Sequence, residues 1–523
     1  MNRPDGRNTL WWIRTDLRLR DNPALAAALE AGPALALFIV SPSQWQSHGD
    51  AVVKIDFWRR NLLSLAEALA ERQIPLKFLT VHKWSEVPRA LAGFCREHEV
   101  ASVHANVEWA INERRRDYDA GERLAQDDVA LTLHQGNTLL KPGTIVTGKG
   151  ECYKVFTPFS RACRERLISA PPQPLPLPRA QDQAPRAAPK GGAAGAATVA
   201  GTKGGAGTGG TGGTNGHVIT ADAVPDDAAF LGRRKPPADK VRERWPAGEE
   251  AAHQRLDAFA ADDIGAYEQE RDRPDHDGTS RLSPYLAAGV VSAGQCLHRA
   301  LMANQGEIDS GKQGVRTWIT ELLWREFYQH LLAAYPALSM HQPMRPETNA
   351  VPWRDAAGDL EAWRAGRTGF PIIDAAMRQM AATGWMHNRL RMVVAMFLSK
   401  NLLIDWRAGE AWFMENLVDG ELGANNGGWQ WSASTGADAV PYFRIFNPES
   451  QSRKFDPQGQ FLRTWLPELA ELDARAIHAP SNAQRRACGY PEPLCDLKET
   501  RLRALEAYGN LRGSIRLPRD PAA

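Results

Sequence analysis

Apolar residues in the first 150 positions come in short runs: TLWWIR at 9–14, ALALFIV at 34–40, IPLKFLT at 74–80 and VASVHAN at 100–106. Each has the length and the branched or aromatic content of a strand, and helical stretches lie between them. Strands alternating with helices predict an α/β, doubly wound parallel-sheet (Rossmann-like) domain over 1–150. From Glu249 onward a 3.6-residue period governs 250–261, 316–334, 371–382, 386–404 and 408–417, with Pro and Gly mainly at segment ends, as in DGTSRLSPYLAAG at 277–289. This predicts an all-α domain over 249–490. Between the two, PPQPLPLPRAQ and KGGAAGAATVAGTKGGAGTGGTGGTNG show no period. Such composition cannot bury enough apolar surface to offset ordering entropy, so 151–248 reads as a connector with a long mobile stretch. Residues 491–523 are expected to form a C-terminal tail.

Composition narrows the class. A chain of 523 residues is too long for one core, and 43% apolar with 24% charged residues is that of a soluble protein. A net charge of +2 excludes a uniformly basic surface, so any nucleic-acid contact must come from a local groove. The six cysteines show no C-x-x-C pair and no Cys/His metal spacing; they read as reduced thiols, with no metal site expected. The N-terminus has no apolar signal core, no uncharged run could span a bilayer, and G-x-G-x-x-G is missing. A cytoplasmic, monomeric protein without a dinucleotide site at the first turn is expected.

Four polar clusters stand out in the second half. On a helix through 316–334, Glu321, Trp324, Arg325 and Tyr328 share one face. They are either core aromatics with a rim ion pair, or a desolvated carboxylate placed to offer a proton or hydrogen bond. A second helix presents Trp385, Asn388 and Met392, flanked by Arg389 and Arg391; a buried amide there needs a partner. GTSRLS at 278–283 offers hydroxyls and an arginine, as a phosphate cradle or an ordinary N-cap does. The densest stretch, ELGANNGGWQWSASTG at 421–436, runs an Asn-Asn-Gly-Gly turn into Trp429 and Trp431. Together with Trp353 and Trp406 it suits a flat redox-active ring that needs close backbone approach and an electron donor.

The strings GTSRLSPYLAAGVVS, ELLWREFYQHLL, TGFPIIDAAMRQM, TGWMHNRLRMVVAMFLSKNLLIDWR and DGELGANNGGWQWSASTGADAVPYFRIFNP resemble the DNA photolyase/cryptochrome family, most closely its bacterial class I cyclobutane pyrimidine dimer photolyases. The resemblance covers roughly 1–170 and 245–490. It implies a catalytic FAD, active as the reduced anion. Tyr267, Thr279, Ser280, Arg281, Leu282 and Ser283 would hold its phosphates and ribityl chain. Trp318, Arg325, Arg391, Asp419, Gly420 and Glu421 would surround the rest, with Asn425 at flavin N5. Glu421 departs from the family's Asp-Gly-Asp by one methylene.

Glu321, Trp324, Asn388 and Met392 would read a flipped-out pyrimidine dimer in ultraviolet-damaged DNA. Arg271, Arg389, Arg444, Gln451 and Lys454 fall where the family meets DNA phosphates. Trp429, Trp406 and Trp353 align with its electron-transfer chain. His48, Asn112 and Glu113 would contact a methenyltetrahydrofolate antenna, although Met340 stands where close relatives carry an antenna lysine. The implied reaction is light-driven dimer splitting with return of the electron, a carbon–carbon lyase and not an oxidoreductase. The alternative, a cryptochrome-type blue-light photoreceptor, is opposed by the dimer-pocket residues, by Asn425 and by the short stretch after 490. A (6-4) photoproduct enzyme would want pocket histidines, and a plain flavin electron carrier has no use for a basic groove.

Overall fold

A computed structural model describes residues 7–187 and 217–511. Five strands form one parallel sheet: β1 (Asn8–Ile13), β2 (Ala34–Val40), β3 (Leu76–Thr80), β4 (Val100–Asn106) and β5 (Ala130–His134), in the order β3-β2-β1-β4-β5. The reversal of direction at β1 is the doubly wound arrangement the alternation predicts. β1 and β2 are buried along their whole length, which explains their near-continuous apolar runs. β5 escapes the sequence pattern because it is an edge strand of five residues, ALTLH, none of them fully buried.

The second half is helical. Gln313–Ala334, Pro371–Thr383, Asn388–Met396 and Trp406–Asn416 match the periodic segments. Two of the predicted helices end in π turns, Phe259–Asp263 and Phe397–Asn401.

Three expectations need correction. The 190–216 tract of the predicted connector lies outside the described residues, but its flanks are ordered. Arg186–Ala187 pairs antiparallel with His217–Val218, and short helices follow at Asp227–Leu231 and Asp239–Arg244. Trp245 is buried, with its Nε1 donating to the Thr383 carbonyl at 2.9 Å. The stretch after 490 is not a plain tail either: the helix Leu497–Gly509 buries Ala504, Ala507 and Tyr508. Finally, Asn-Asn-Gly-Gly is no turn but the middle of the helix Leu422–Ser432. Packing overrides propensity there, because a Cβ on Gly427 would collide with the Tyr328 ring.

Candidate active site

Glu321, Trp324, Arg325 and Tyr328 all sit on the helix Gln313–Ala334. Glu321 accepts from Arg271 Nη1 at 2.6 Å; burial pushes its pKa up, against the pull of that guanidinium. Trp324 is half-buried, with one face stacked on Phe156 at a centroid distance of 3.6 Å. Asn388 corrects the expectation of a buried amide: it lies exposed in the first turn of Asn388–Met396, open to water. The buried polar group is its neighbour His387, whose Nδ1 accepts from the Arg389 amide at 3.2 Å and whose pKa burial lowers to about 4. Met392 is partly buried on the same helix.

Arg391 donates to both oxygens of Asp419, at 2.8 and 3.0 Å. Asn425 Nδ2 donates to the Glu410 carbonyl at 3.0 Å, which leaves Oδ1 as its accepting end. Ser283 Oγ accepts from Trp385 Nε1 at 3.3 Å, Leu282 is buried, and Arg281 has a left-handed φ of 50° beside Asp277. A non-glycine residue there stores strain of about 1–3 kcal/mol, a common mark of a functional segment. Thr279 and Ser280 are partly exposed next to it. Tyr267 and Trp318 both pack on Phe259, with centroids 5.7 and 5.2 Å away. A guanidinium–carboxylate pair, an accepting amide oxygen, and hydroxyls with an arginine make a set of polar groups that fits a reduced flavin and its phosphates.

Trp429 is buried against Phe413 and Trp363, at 5.0 and 6.0 Å. Trp406 is buried in the same apolar cluster, and Trp353 packs at its edge, partly exposed and 6.2 Å from Tyr508. The indole N–H groups of Trp353 and Trp429 have no hydrogen-bond partner among the described residues. On the outer face, Arg389 pairs with Asp272 at 2.7 Å, and Arg271 lies 3.8 Å from the same carboxylate. Arg444 and Lys454 are exposed and Gln451 partly so.

A cavity of about 390 Å³ opens between the sheet domain and the helical domain. His48, Asn112 and Glu113 line it, and Asn112 Nδ2 lies 3.1 Å from His48 Nε2. Burial and the neighbouring Glu108 raise the Glu113 pKa to about 7. Arg325, Gly420 and Glu421 border this same cavity. Arg325 and Gln329 hold the Glu421 carboxylate at 2.6 and 2.9 Å, and Lys54 of the sheet domain donates to the Gly420 carbonyl at 2.6 Å. Sequence reasoning missed Lys54, whose only signal was Asp50 four residues before it. Ser339 and His341 line the wall, whereas Met340 between them is half exposed.

A family model described as DNA photolyase matches residues 9–179, and one described as the FAD binding domain of DNA photolyase matches 318–510. The chain is 41% identical to the deoxyribodipyrimidine photo-lyase of Escherichia coli over 504 residues, which is 95% of this chain and 98% of that one. The chain belongs to the photolyase/cryptochrome family. The deoxyribodipyrimidine photo-lyase of Salmonella typhimurium is 42% identical over the same shares of both chains. A bacterial class III photolyase from Agrobacterium tumefaciens superposes with a TM-score of 0.80 at 32% identity, covering 97% of this chain and 98% of that one. A Synechocystis cryptochrome superposes equally well at 26% identity, covering 96% and 99%. Photolyases and cryptochromes therefore share the fold, and the distinction between them rests on the site.

Proposed function

We propose that this chain is a deoxyribodipyrimidine photo-lyase, repairing cyclobutane pyrimidine dimers in ultraviolet-damaged DNA. The observation that carries this reading is the desolvated Glu321 beside the half-open face of Trp324, with Asn388 and Met392 on another helix of the same domain. FAD, held by Arg391, Asp419, Asn425, Tyr267, Trp318 and the segment Thr279–Ser283, would supply a light-excited electron to the dimer and take it back, so that ring splitting would involve no net redox change. The remaining work falls to the chain. Trp324 offers one aromatic face to a base, because Phe156 covers the other. Glu321, its pKa raised, holds a hydrogen bond to a pyrimidine carbonyl in a site where a charged carboxylate is disfavoured.

Arg391, fixed by Asp419, would keep positive charge beside a bound flavin, and Tyr267, Trp318 and the segment Thr279–Ser283 would hold the rest of the cofactor. Trp429, Trp406 and Trp353 form a path from core to surface. The interdomain cavity takes a methenyltetrahydrofolate antenna through His48, Asn112 and Glu113. Arg271, Arg389, Arg444, Gln451 and Lys454 meet DNA phosphates, and the protein acts as a cytoplasmic monomer. The test is to mix purified protein with a thymine-dimer oligonucleotide and follow thymine absorbance under blue light and in darkness. Recovery only in light is expected; lesions that survive illumination sink the reading and favour the cryptochrome alternative.

A further inference from the structure

The helix Asn388–Met396 ends in the π turn Phe397–Asn401, where the Leu402 amide reaches back to the Phe397 carbonyl at 2.9 Å. The extra residue in that turn re-aims the side chains that follow, a frequent device at functional sites. Here it leaves Lys400 fully buried. Among the described residues, the charged side chain that acts on its ammonium is another cation, Arg444. Nζ donates to the Arg444 carbonyl at 3.1 Å and the Tyr442 carbonyl at 3.4 Å. One turn earlier, Met396 Sδ accepts from the Phe446 amide at 3.2 Å. Three contacts from one helix end thus fall on a single loop, 442–446, whose Phe443 and Arg444 are exposed.

A methionine at position 400 would fill similar volume without the desolvation penalty of a buried cation. What the ammonium adds is a set of N–H donors aimed at the backbone of that loop. We infer that Lys400 is a positioning residue for DNA binding: it ties the 442–446 loop to the helical domain and so sets where Arg444 meets a phosphate. This rests on the proposed reading that the Arg444 face contacts DNA. Burial and the Arg444 charge hold the Lys400 pKa down at about 7, and in either protonation state Nζ keeps N–H donors for the two carbonyls.

The experiment is equilibrium binding, in darkness, of a fluorescent duplex carrying one thymine dimer, measured by anisotropy over a range of salt. Wild type, Lys400→Met, Arg444→Gln and the double variant are compared. Lys400→Met is expected to weaken binding roughly tenfold and to lower the salt slope by about one, as Arg444→Gln does. The double variant should bind no more weakly than either single one, because both changes remove the same contact. In Lys400→Met, flavin content and, at saturating DNA, repair yield should stay at wild-type levels. Met396→Leu, which keeps volume but removes the sulfur acceptor, should shift affinity in the same direction by less. Wild-type affinity in Lys400→Met, additive losses in the double variant, or loss of flavin would overturn the inference. Failure of wild type itself to bind the damaged duplex would sink the proposed function along with it.

Discussion

At Glu321 two forces act on one carboxyl: burial favours the neutral acid, and the Arg271 guanidinium favours the anion. Glu321→Ala should keep bound FAD and yet repair severalfold fewer dimers per absorbed photon, read by single-turnover flash experiments. An unchanged yield would remove Glu321 from the mechanism. Glu113 supports a pH prediction. Its folded pKa, about 7, lies above its ordinary value of 4.5, so the folded state holds a proton that the unfolded state releases. Stability is therefore fully present below pH 4.5 and falls as pH rises to 7, by about 1–2 kcal/mol after allowing for solvent screening of a partly exposed group. Glu113→Gln should flatten that fall in urea melts on either side of this window. At this scale the sequence was readable where residues share one helix, as Glu321 and Trp324 do. It was not readable for Asn388, whose exposure depends on the helix start, or for Arg325 and Glu421, whose cavity is made by two domains.

Helix Leu422–Ser432 shows how an element can defeat propensity. Gly427 admits no Cβ against Tyr328, a Cβ on Gly423 would meet Gln329 Nε2 at 3.4 Å, and one on Gly428 would meet nothing within 4 Å. Gly427→Ala should cost about 1–3 kcal/mol through overpacking, whereas Gly428→Ala should stabilise by about 0.5–1 kcal/mol through helix propensity. Thermal melts of the two variants check the sign. The composition of this stretch signalled a turn because the Tyr328 ring that demands glycine comes from a helix far earlier in the chain. The indoles make the second element-scale case. Trp353, partly exposed at the edge of the cluster that buries Trp406 and Trp429, is the outermost of the three. Trp353→Phe should slow photoreduction of oxidised flavin, followed by absorbance, and spare repair by protein reduced beforehand.

At the scale of the whole molecule, the order of apolar runs was enough to read a parallel sheet followed by a helical domain, because each run is buried on the period its element imposes. The joint between domains was harder to read, since it is built from long-range contacts such as Lys54 to Gly420 and Trp245 to Thr383. The Gly-rich tract offers a test of how much the joint depends on its connector. Arg186 pairs with Val218 and Ala187 with His217, so the chain leaves and re-enters at one point. Two antiparallel residues side by side need only a short turn to join them. Replacing 188–216 with Asn-Gly should therefore leave fold and repair intact and, by shortening the closed loop, stabilise the protein by about 1–2 kcal/mol. Melting temperature and repair yield per photon measure both effects. A variant that fails to fold, or folds and loses repair, would show that the tract does more than link the two strands it separates.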